Sequence, residues 1–302
     1  FLDAPEADPR DLPDSTDVGI VGVPFDGGVS RQPGARYGPE KLRRESGWYA
    51  RNDGGFNAAT GRHVDYSGVE MRDCGDVPIV TTDVEATGEA IRETVRAVAD
   101  GGFPVVLGGD HYLTYPSFRG VAEAHGDRLG LVHLDAHSDV YGSWDRHGDH
   151  WHGSPMNLIA DTDHGGYGTH SMVGLRAREA SDFPAFVEES GLHVSYARDV
   201  HERGIERCLD DAIDHATDGV DAVYVTVDID VVDPTVAPGT GTPEFGGLDV
   251  TQVLSAMDRL GGCDAVRAVD LVEVAPRLDP SRTTQRLGAA ALSRFLEAKF
   301  GA

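Results

Sequence analysis

Residues 129–139, LGLVHLDAHSD, carry the pattern that decides the fold. The first six are mostly apolar and predict a buried strand. The next five place three possible metal ligands, Asp135, His137 and Asp139, just beyond the end of that strand. In an α/β sheet, ligands bind at the carboxyl ends of the strands. The stretch therefore predicts a ligand site at one edge of a sheet.

Short buried strands alternate with helices along the rest of the chain. This alternation favours a three-layer α/β/α fold with a mostly parallel central sheet. No linker-like or low-complexity stretch divides the chain, so residues 1–302 are expected to form a single domain. A glycine-rich loop at 24–39 follows the first strand, and the polar residues 52–69 are expected to form an excursion. We predict further strands at 17–23, 103–107, 172–175, 221–227 and 265–274, and helices at 83–99, 199–217, 250–260 and 284–299.

The net charge of −25 argues against some partners and suggests a habitat. Basic residues are nearly all arginine, and the only lysines are Lys41 and Lys299. Because such a surface repels nucleic acid and anionic membranes, we expect neither as a partner. An acidic, lysine-poor surface suits a salt-rich cytoplasm and predicts a halophilic protein, with an ordinary acidic mesophilic protein as the alternative. The chain also has no apolar run near the roughly 20 residues that a membrane span needs.

Three cysteines, Cys74, Cys208 and Cys263, lie far apart in the sequence. Their odd number and spacing argue against a disulfide framework and for a reducing compartment, so we expect a cytoplasmic protein. None lies in a CxxC pair, which argues against a zinc ribbon. No GxGxxG opens a helix after the first strand, and no GxxxxGKS/T is present, so the patterns of dinucleotide and P-loop sites are missing.

Polar residues lie at the ends of four of the predicted strands, and the carboxyl ends of parallel strands meet at one edge of a sheet. Each piece alone has a simpler explanation, since a lone histidine is usually structural and a DxD pair in so acidic a chain is usually a surface feature. Their occurrence at successive strand ends is what indicates a site. The clusters are Gly109-Asp110-His111, Asp135-Ala136-His137-Ser138-Asp139, Asp228-Ile229-Asp230 and Glu273.

The carboxylates in these clusters predict a binuclear metal centre. If four carboxylates shared one pocket without cations, mutual repulsion would keep some of them protonated. Two divalent cations would balance their charge, and two neutral imidazoles would complete the ligand set. Carboxylate and imidazole without thiolate favour manganese, with nickel or zinc as alternatives. Two metals roughly 3.5–4 Å apart can bind a shared water and convert it to hydroxide near neutral pH. The predicted ligands are His111, Asp135, His137, Asp139, Asp228 and Asp230.

With these clusters in place, the chain resembles the ureohydrolase family, which includes arginase, agmatinase, guanidinobutyrase and formiminoglutamase. The resemblance covers nearly the whole chain, and the early loop and APGTGTPE resemble the agmatinase branch more than arginase. The motifs are GVSRQPGARYGP at 28–39, GGDH at 108–111, DAHSD at 135–139, HGSP at 152–155, VDIDVVDPTVAPGTGTPEFGG at 227–247 and LVEVAP at 271–276.

The resemblance implies roles for the residues of the site. Asp139 would accept a proton from the bridging hydroxide and deliver it to the leaving amine. His152 would be a proton shuttle that also contacts the substrate; the alternative is a structural loop histidine. Glu273 would pair with the substrate guanidinium. The chemistry agrees, because a planar guanidinium suits two parallel hydrogen bonds to a carboxylate and the leaving amine needs a general acid. The two manganese ions would lie on His111 with Asp139, and on His137 with Asp230, both bridged by Asp135 and Asp228.

The implied activity is hydrolysis of a guanidino compound to urea and an amine, and agmatine, which gives putrescine, is our first choice of substrate. The substrate tail is read by loops, and here Met156-Asn157 follows HGSP where many relatives have a Phe-Arg-Arg run. The alternatives 4-guanidinobutyrate, formiminoglutamate and small guanidines therefore stay open. Arg176 and Arg178 could meet a substrate carboxylate, although a structural or surface role is the simpler interpretation.

Two other classes of function suit parts of the pattern. A catalytically silent, metal-bound subunit would not need Asp139, His152 and Glu273 together. A metal-dependent amide deacetylase could use the DxHxD stretch, and a single bound zinc would favour it, whereas two metal sites and Glu273 favour a guanidino substrate. Ureohydrolases assemble as trimers or hexamers, so the resemblance also implies a homo-oligomer.

Overall fold

The computed structural model describes residues 1–50, 55–126 and 128–301, and its centre is an eight-stranded sheet. Helices connect the strands in chain order, and a small two-stranded hairpin lies apart from the main sheet. The elements are β1 Val18–Gly22, α1 Gly38–Ser46, β2 Gly55–Asn57, β3 Arg62–Val64, β4 Met71–Asp76, α2 Val84–Ala99, β5 Phe103–Leu107, α3 Thr114–His125, β6 Leu129–Leu134, α4 Pro155–Ala160, β7 His170–Leu175, α5 Phe183–Ser190, β8 His193–Tyr196, α6 Ala197–Arg203, α7 Ile205–Ala216, β9 Ala222–Asp228, α8 Val250–Gly261, β10 Val266–Val272 and α9 Thr283–Phe300.

The main sheet has the order β4-β1-β5-β10-β9-β6-β7-β8, and all its strand pairs are parallel. Every residue of β1, β5, β6, β7 and β9 is buried. Such runs without polar alternation are typical of parallel strands that are covered on both faces. The expected mostly parallel sheet is confirmed.

Helices cover both faces of the sheet, and the described residues form two large hydrophobic cores and a third, smaller cluster between β7 and α5. Successive residues of β1 point to opposite faces, so Ile20 lies in one core and Val21 in the other. Ile91 of α2 packs in the core that contains Val21, whereas Leu42 of α1 and Leu292 of α9 pack in the core that contains Ile20. The predicted three-layer α/β/α architecture is therefore correct.

The predicted helix at 199–217 is wrong in one respect, because the chain forms two helices there. α6 ends and α7 begins at Gly204, whose φ of 88° lies in the left-handed region and cannot continue a right-handed helix. The short elements α4, α5 and β8 were not predicted. The excursion at 52–69 contains the hairpin formed by β2 and β3, while residues 51–54 lie outside the described part of the chain.

The structure also bears on the predictions about membrane spans and cysteines. Within the described ranges, no helix combines the length and the apolar character that a membrane crossing requires. Cys74, Cys208 and Cys263 are all free, as the sequence pattern suggested.

Candidate active site

The predicted site residues follow strands that are neighbours in the sheet. β1, β5, β10, β9 and β6 lie side by side, and their carboxyl ends lead into the loop at 24–39 and into the four polar clusters. Gly109 lets the loop after β5 pack closely against the loop after β1, because a Cβ at this position would lie 2.0 Å from the Phe25 carbonyl oxygen. The parallel topology thus brings together residues that are more than a hundred positions apart in sequence.

His111 lies at the centre of a buried carboxylate cluster. Its Nδ1 is 2.9 Å from Asp139 Oδ2 and 3.0 Å from Asp135 Oδ2. Asp228 Oδ2 lies 3.4 Å from the same nitrogen. The imidazole is fully buried, and in residues 1–50, 55–126 and 128–301 its Nδ1 finds no hydrogen-bond partner that meets ordinary geometry. A buried nitrogen that faces three carboxylates in this way is suited to bind a cation.

A second group of ligand atoms adjoins the first and shares Asp135. His137 Nδ1 lies 3.0 Å from Asp230 Oδ2 and 3.5 Å from Asp135 Oδ1. The backbone N–H groups of His137 and Ala136 donate to Asp135 and Asp230, at 2.6 Å and 3.1 Å. These bonds fix both carboxylates at the turn that follows β6.

The donor set fits a pair of divalent cations. One group comprises His111, His133, Asp135 and Asp139, and the other comprises Asp135, His137 and Asp230, with the ligand atoms of each group within 4.8 Å of one another. All six predicted ligands lie here, although Asp228 reaches the cluster through its contact with His111. Because Asp135 belongs to both groups, the arrangement could hold two adjacent metal ions.

Burial and charge shift the pKa values of this cluster in opposite directions. Burial raises the pKa of Asp228 well above 3.8, and the neighbouring Asp230 and Asp135 raise it further. Burial lowers the pKa of His111, but the carboxylates of Asp135 and Asp139 close to its Nδ1 outweigh it and leave that pKa well above 6.5. Protons on His111 and Asp228 would thus offset the negative charge. Metal binding would displace these protons, as it does at carboxylate and imidazole sites generally.

Glu273 and His152 form a second buried pair beside the cluster. His152 Nδ1 lies 2.9 Å from Glu273 Oε1, and the His111 backbone N–H donates to the same oxygen at 3.1 Å. The other carboxylate oxygen, Glu273 Oε2, is buried and has no hydrogen-bond partner among the described residues. On the far side of the imidazole, His152 Nε2 lies 2.7 Å from Ser30 Oγ and 3.0 Å from the Ser30 backbone nitrogen.

Two of the site residues have strained backbones. Asp139 has a φ of 51° and Glu273 a φ of 60°, in the left-handed region that side chains other than glycine rarely adopt. Such conformations persist only where the surrounding structure holds them, and they concentrate at functional sites. Both residues were predicted to be catalytic, and the strain provides an independent reason to place function there.

The sequence reasoning missed several residues that hold the site together. His133 Nε2 lies 2.8 Å from Asp135 Oδ2, and alternation along β6 could have revealed it, since positions 133 and 135 share a strand face. The Asp110 carboxylate accepts the Gly28 N–H at 2.7 Å, and burial, together with Glu273, raises the pKa of Asp110 to about 8. Glu179 accepts hydrogen bonds from Ser138 and Tyr141. No local sequence signal identifies Glu179.

Arg176 has a structural role. Its guanidinium donates to the backbone carbonyls of Gly174, Asp230, Val231, Val232 and Glu244. These contacts tie the end of β7 to the long loop after β9. These contacts support the simpler, structural interpretation of Arg176, whereas Arg178 is exposed.

Comparison with known proteins agrees with this geometry. A family model described as the Arginase family matches residues 16–297. The chain belongs to the arginase family. The mitochondrial agmatinase of Gallus gallus is 37% identical over 285 residues, which cover 93% of this chain and 80% of the relative. The guanidinobutyrase of Pseudomonas aeruginosa is 36% identical over 292 residues, which cover 94% and 86%.

Solved structures of the arginase family support the same assignment. Proclavaminate amidino hydrolase from Streptomyces clavuligerus has a TM-score of 0.85 and 32% identity, and the match covers 99% of this chain and 96% of that one. The predicted ureohydrolase family and arginase-like fold are therefore confirmed.

Proposed function

We propose that this arginase-family enzyme is a binuclear manganese hydrolase that cleaves a guanidino compound to urea and an amine. The observation that carries the proposal is the free oxygen of Glu273. Oε2 is buried and has no hydrogen-bond partner within the described part of the chain, whereas Oε1 contacts His152 Nδ1 and accepts from the His111 backbone N–H. A buried acceptor of this kind is costly unless a donor arrives. A planar guanidinium supplies N–H donors and a compensating charge.

The six predicted ligands would hold the metals, with Asp135 shared between the two ions. When bound, two divalent cations would lower the pKa of a water and so supply a nucleophile near neutral pH. The absence of a thiolate from the ligand set favours manganese over zinc, and nickel is the other alternative. His133 would hold Asp135 in place through its 2.8 Å contact.

The remaining site residues handle substrate and protons. Glu273 would orient the guanidinium so that its carbon faces the metal cluster. Asp139 and His152 are the groups that could hold a proton and pass it to the leaving amine, which departs as the C–N bond breaks. The contact between His152 and the Ser30 hydroxyl, at 2.7 Å, connects the imidazole to the half-buried loop at 24–39.

Agmatine is the substrate that we favour, and its products would be putrescine and urea. Similarity to the agmatinase of Gallus gallus supports this choice, and so does the engagement of Arg176 with backbone carbonyls, which withdraws it from any substrate carboxylate. The similarity to a guanidinobutyrase makes 4-guanidinobutyrate the second candidate.

The test is a panel of substrates offered to manganese-loaded protein in high salt. Agmatine, 4-guanidinobutyrate, arginine and guanidine are assayed for urea, and formiminoglutamate is assayed for ammonia. Urea from agmatine above the other members would support the proposal in full. Preference for 4-guanidinobutyrate would keep the reaction and correct the substrate. Silence across the panel with two metals bound would favour the silent-subunit or amide-deacetylase alternatives.

We also propose a homo-oligomer, either a trimer or a hexamer, as the sequence suggested. Large apolar side chains are exposed, with Trp48 at 82%, Phe245 at 78% and Phe56 at 60%. Association would bury part of this surface. Elution as a monomer at working salt would contradict this proposal.

A further inference from the structure

A buried carboxylate that the proposed reaction does not use lies beneath the metal cluster. Asp270 of β10 is fully buried, and it is paired in register with Thr226 of β9. Its Oδ2 accepts hydrogen bonds from Thr114 Oγ1 at 2.7 Å and from the Tyr224 hydroxyl at 2.9 Å. Burying a carboxylate in a protein core costs free energy. A role for Asp270 would explain why it is kept between two layers of the fold.

The hydrogen bonds from Asp270 continue to His111, one of the proposed metal ligands. Thr114 Oγ1 lies 3.2 Å from Thr226 Oγ1. Thr226 Oγ1 in turn lies 2.9 Å from His111 Nε2. All of these residues are fully buried, so water does not compete for the bonds. We call Asp270, Thr114 and Thr226 the buried relay.

The hydrogen bond from Thr114 to Asp270 determines the direction of the other hydrogen bonds in the buried relay. Because Asp270 Oδ2 accepts from two hydroxyls, the single proton of Thr114 is committed to that oxygen. The Thr114 oxygen must then accept the proton of Thr226, and the Thr226 oxygen must accept from His111 Nε2–H. This order holds whether or not the other oxygen of Asp270 carries a proton.

We propose that the buried relay holds His111 in the tautomer that carries its proton on Nε2, and so keeps Nδ1 free for a metal ion. Nδ1 is the nitrogen that faces Asp139, Asp135 and Asp228. Outer hydrogen-bond partners of a ligating histidine fix its tautomer and ring orientation, and their loss weakens metal binding by roughly 10- to 100-fold. Asp270, Thr114 and Thr226 are therefore positioning residues that act through His111.

The proposal rests on the proposed metal centre, and metal binding tests it without any assay of turnover. Metal-free wild type, Thr114→Val and Thr226→Val are titrated with Mn²⁺ alone by calorimetry, which reports the two binding events separately. Valine keeps the shape of threonine and removes the hydroxyl. We expect each valine variant to lose roughly 10- to 100-fold in affinity at one site and little at the other.

Two controls separate positioning from a general effect on the core. Tyr224→Phe removes a donor to the same Asp270 oxygen but lies outside the path to His111, and it should bind manganese like the wild type. Thr226→Ser restores the hydroxyl and should recover the affinity. The proposal is overturned if both valine variants bind manganese like the wild type, or if Tyr224→Phe weakens binding as much as they do. If one valine variant fails to fold, the manganese affinities of the other valine variant and of Thr226→Ser still test the proposal. Urea release by the wild type tests the proposed function independently.

Discussion

His152 contacts one oxygen of the buried Glu273 carboxylate, and its Nδ1 lies 2.9 Å from Glu273 Oε1. The His111 backbone N–H also donates to that oxygen. The other oxygen, Oε2, is buried and accepts no hydrogen bond from the part of the chain that the structure describes. His152 thus helps to orient Glu273, and we expect this pair to affect both the stability of the protein and the binding of substrate.

The pH dependence of stability should reveal this pair in metal-free protein. Burial lowers the pKa of His152, but the hydrogen bond and charge of Glu273 outweigh it and raise the pKa from 6.5 to about 9. Because the folded pKa exceeds the unfolded value, the pair contributes fully below about pH 6.5 and its contribution is lost as pH rises through about 9. The full contribution is on the order of 3 kcal/mol.

Melting temperatures of metal-free wild type and His152→Asn would test this prediction. The two proteins should differ most near pH 6 and converge above roughly pH 9.5. His147→Asn, in the same loop but half-buried, serves as the control. A difference between wild type and His152→Asn that stays constant across this range would show that Glu273 does not hold a charged imidazole.

Asp139→Asn should abolish turnover and weaken the binding of one metal. The substitution keeps the size of the side chain but removes the charge that faces His111 Nδ1 at 2.9 Å. It also removes a group that could carry a proton, which is worth roughly 10²- to 10⁴-fold in rate. Turnover and manganese stoichiometry are measured together, with the exposed Asp145→Asn as the matched control. Full activity in Asp139→Asn would remove Asp139 from the catalytic residues.

Arg176→Lys should destabilise the protein without changing its choice of substrate. A lysine ammonium cannot reach the five backbone carbonyls that the guanidinium contacts. Leaving several of them unpaired should cost roughly 2–3 kcal/mol. Thermal melts and the ratio of rates with agmatine and 4-guanidinobutyrate are compared with Arg178→Lys. An unchanged melting temperature together with a selective loss of the carboxylate substrate would reassign Arg176 to substrate binding.

Dialysis to low salt should lower the stability of the protein. Its net charge of −25 produces repulsion within the folded chain, and salt screens that repulsion. Melting temperatures at high and low salt, measured at equal manganese occupancy, test the expected halophilic character. Indifference to salt would favour an ordinary acidic protein.

The fold was predictable where a segment carried one clear pattern. The strand at 129–134 and the helix at 83–99 match the structure to within one residue, because burial or helical period runs through their whole length. The apolar spacing of residues 199–217 continues across Gly204 and predicts one helix, whereas the left-handed backbone of Gly204 divides the segment into α6 and α7. The four residues of β8 are too few to show a period. The single-domain and cytoplasmic assignments stay predictions.

The sequence predicts those residues of the candidate site that lie at the ends of strands. The six predicted ligands and Glu273 lie at or just beyond the carboxyl ends of strands, so the parallel sheet had to bring them together. Asp270 and Thr114 could not be identified in the same way, because their importance lies in contacts between β10 and α3. Ser30 lies in a loop whose path over His152 depends on the whole fold.

The most direct test of the account compares wild type with Glu273→Gln, both loaded with manganese and confirmed to hold two ions per subunit. The wild type should release urea from agmatine. Glu273→Gln should keep both metals and lose roughly 10²- to 10³-fold in kcat/KM, because the guanidinium loses its buried counter-charge. Full activity in Glu273→Gln, or a fully loaded wild type that releases urea from no guanidino compound, would contradict the account.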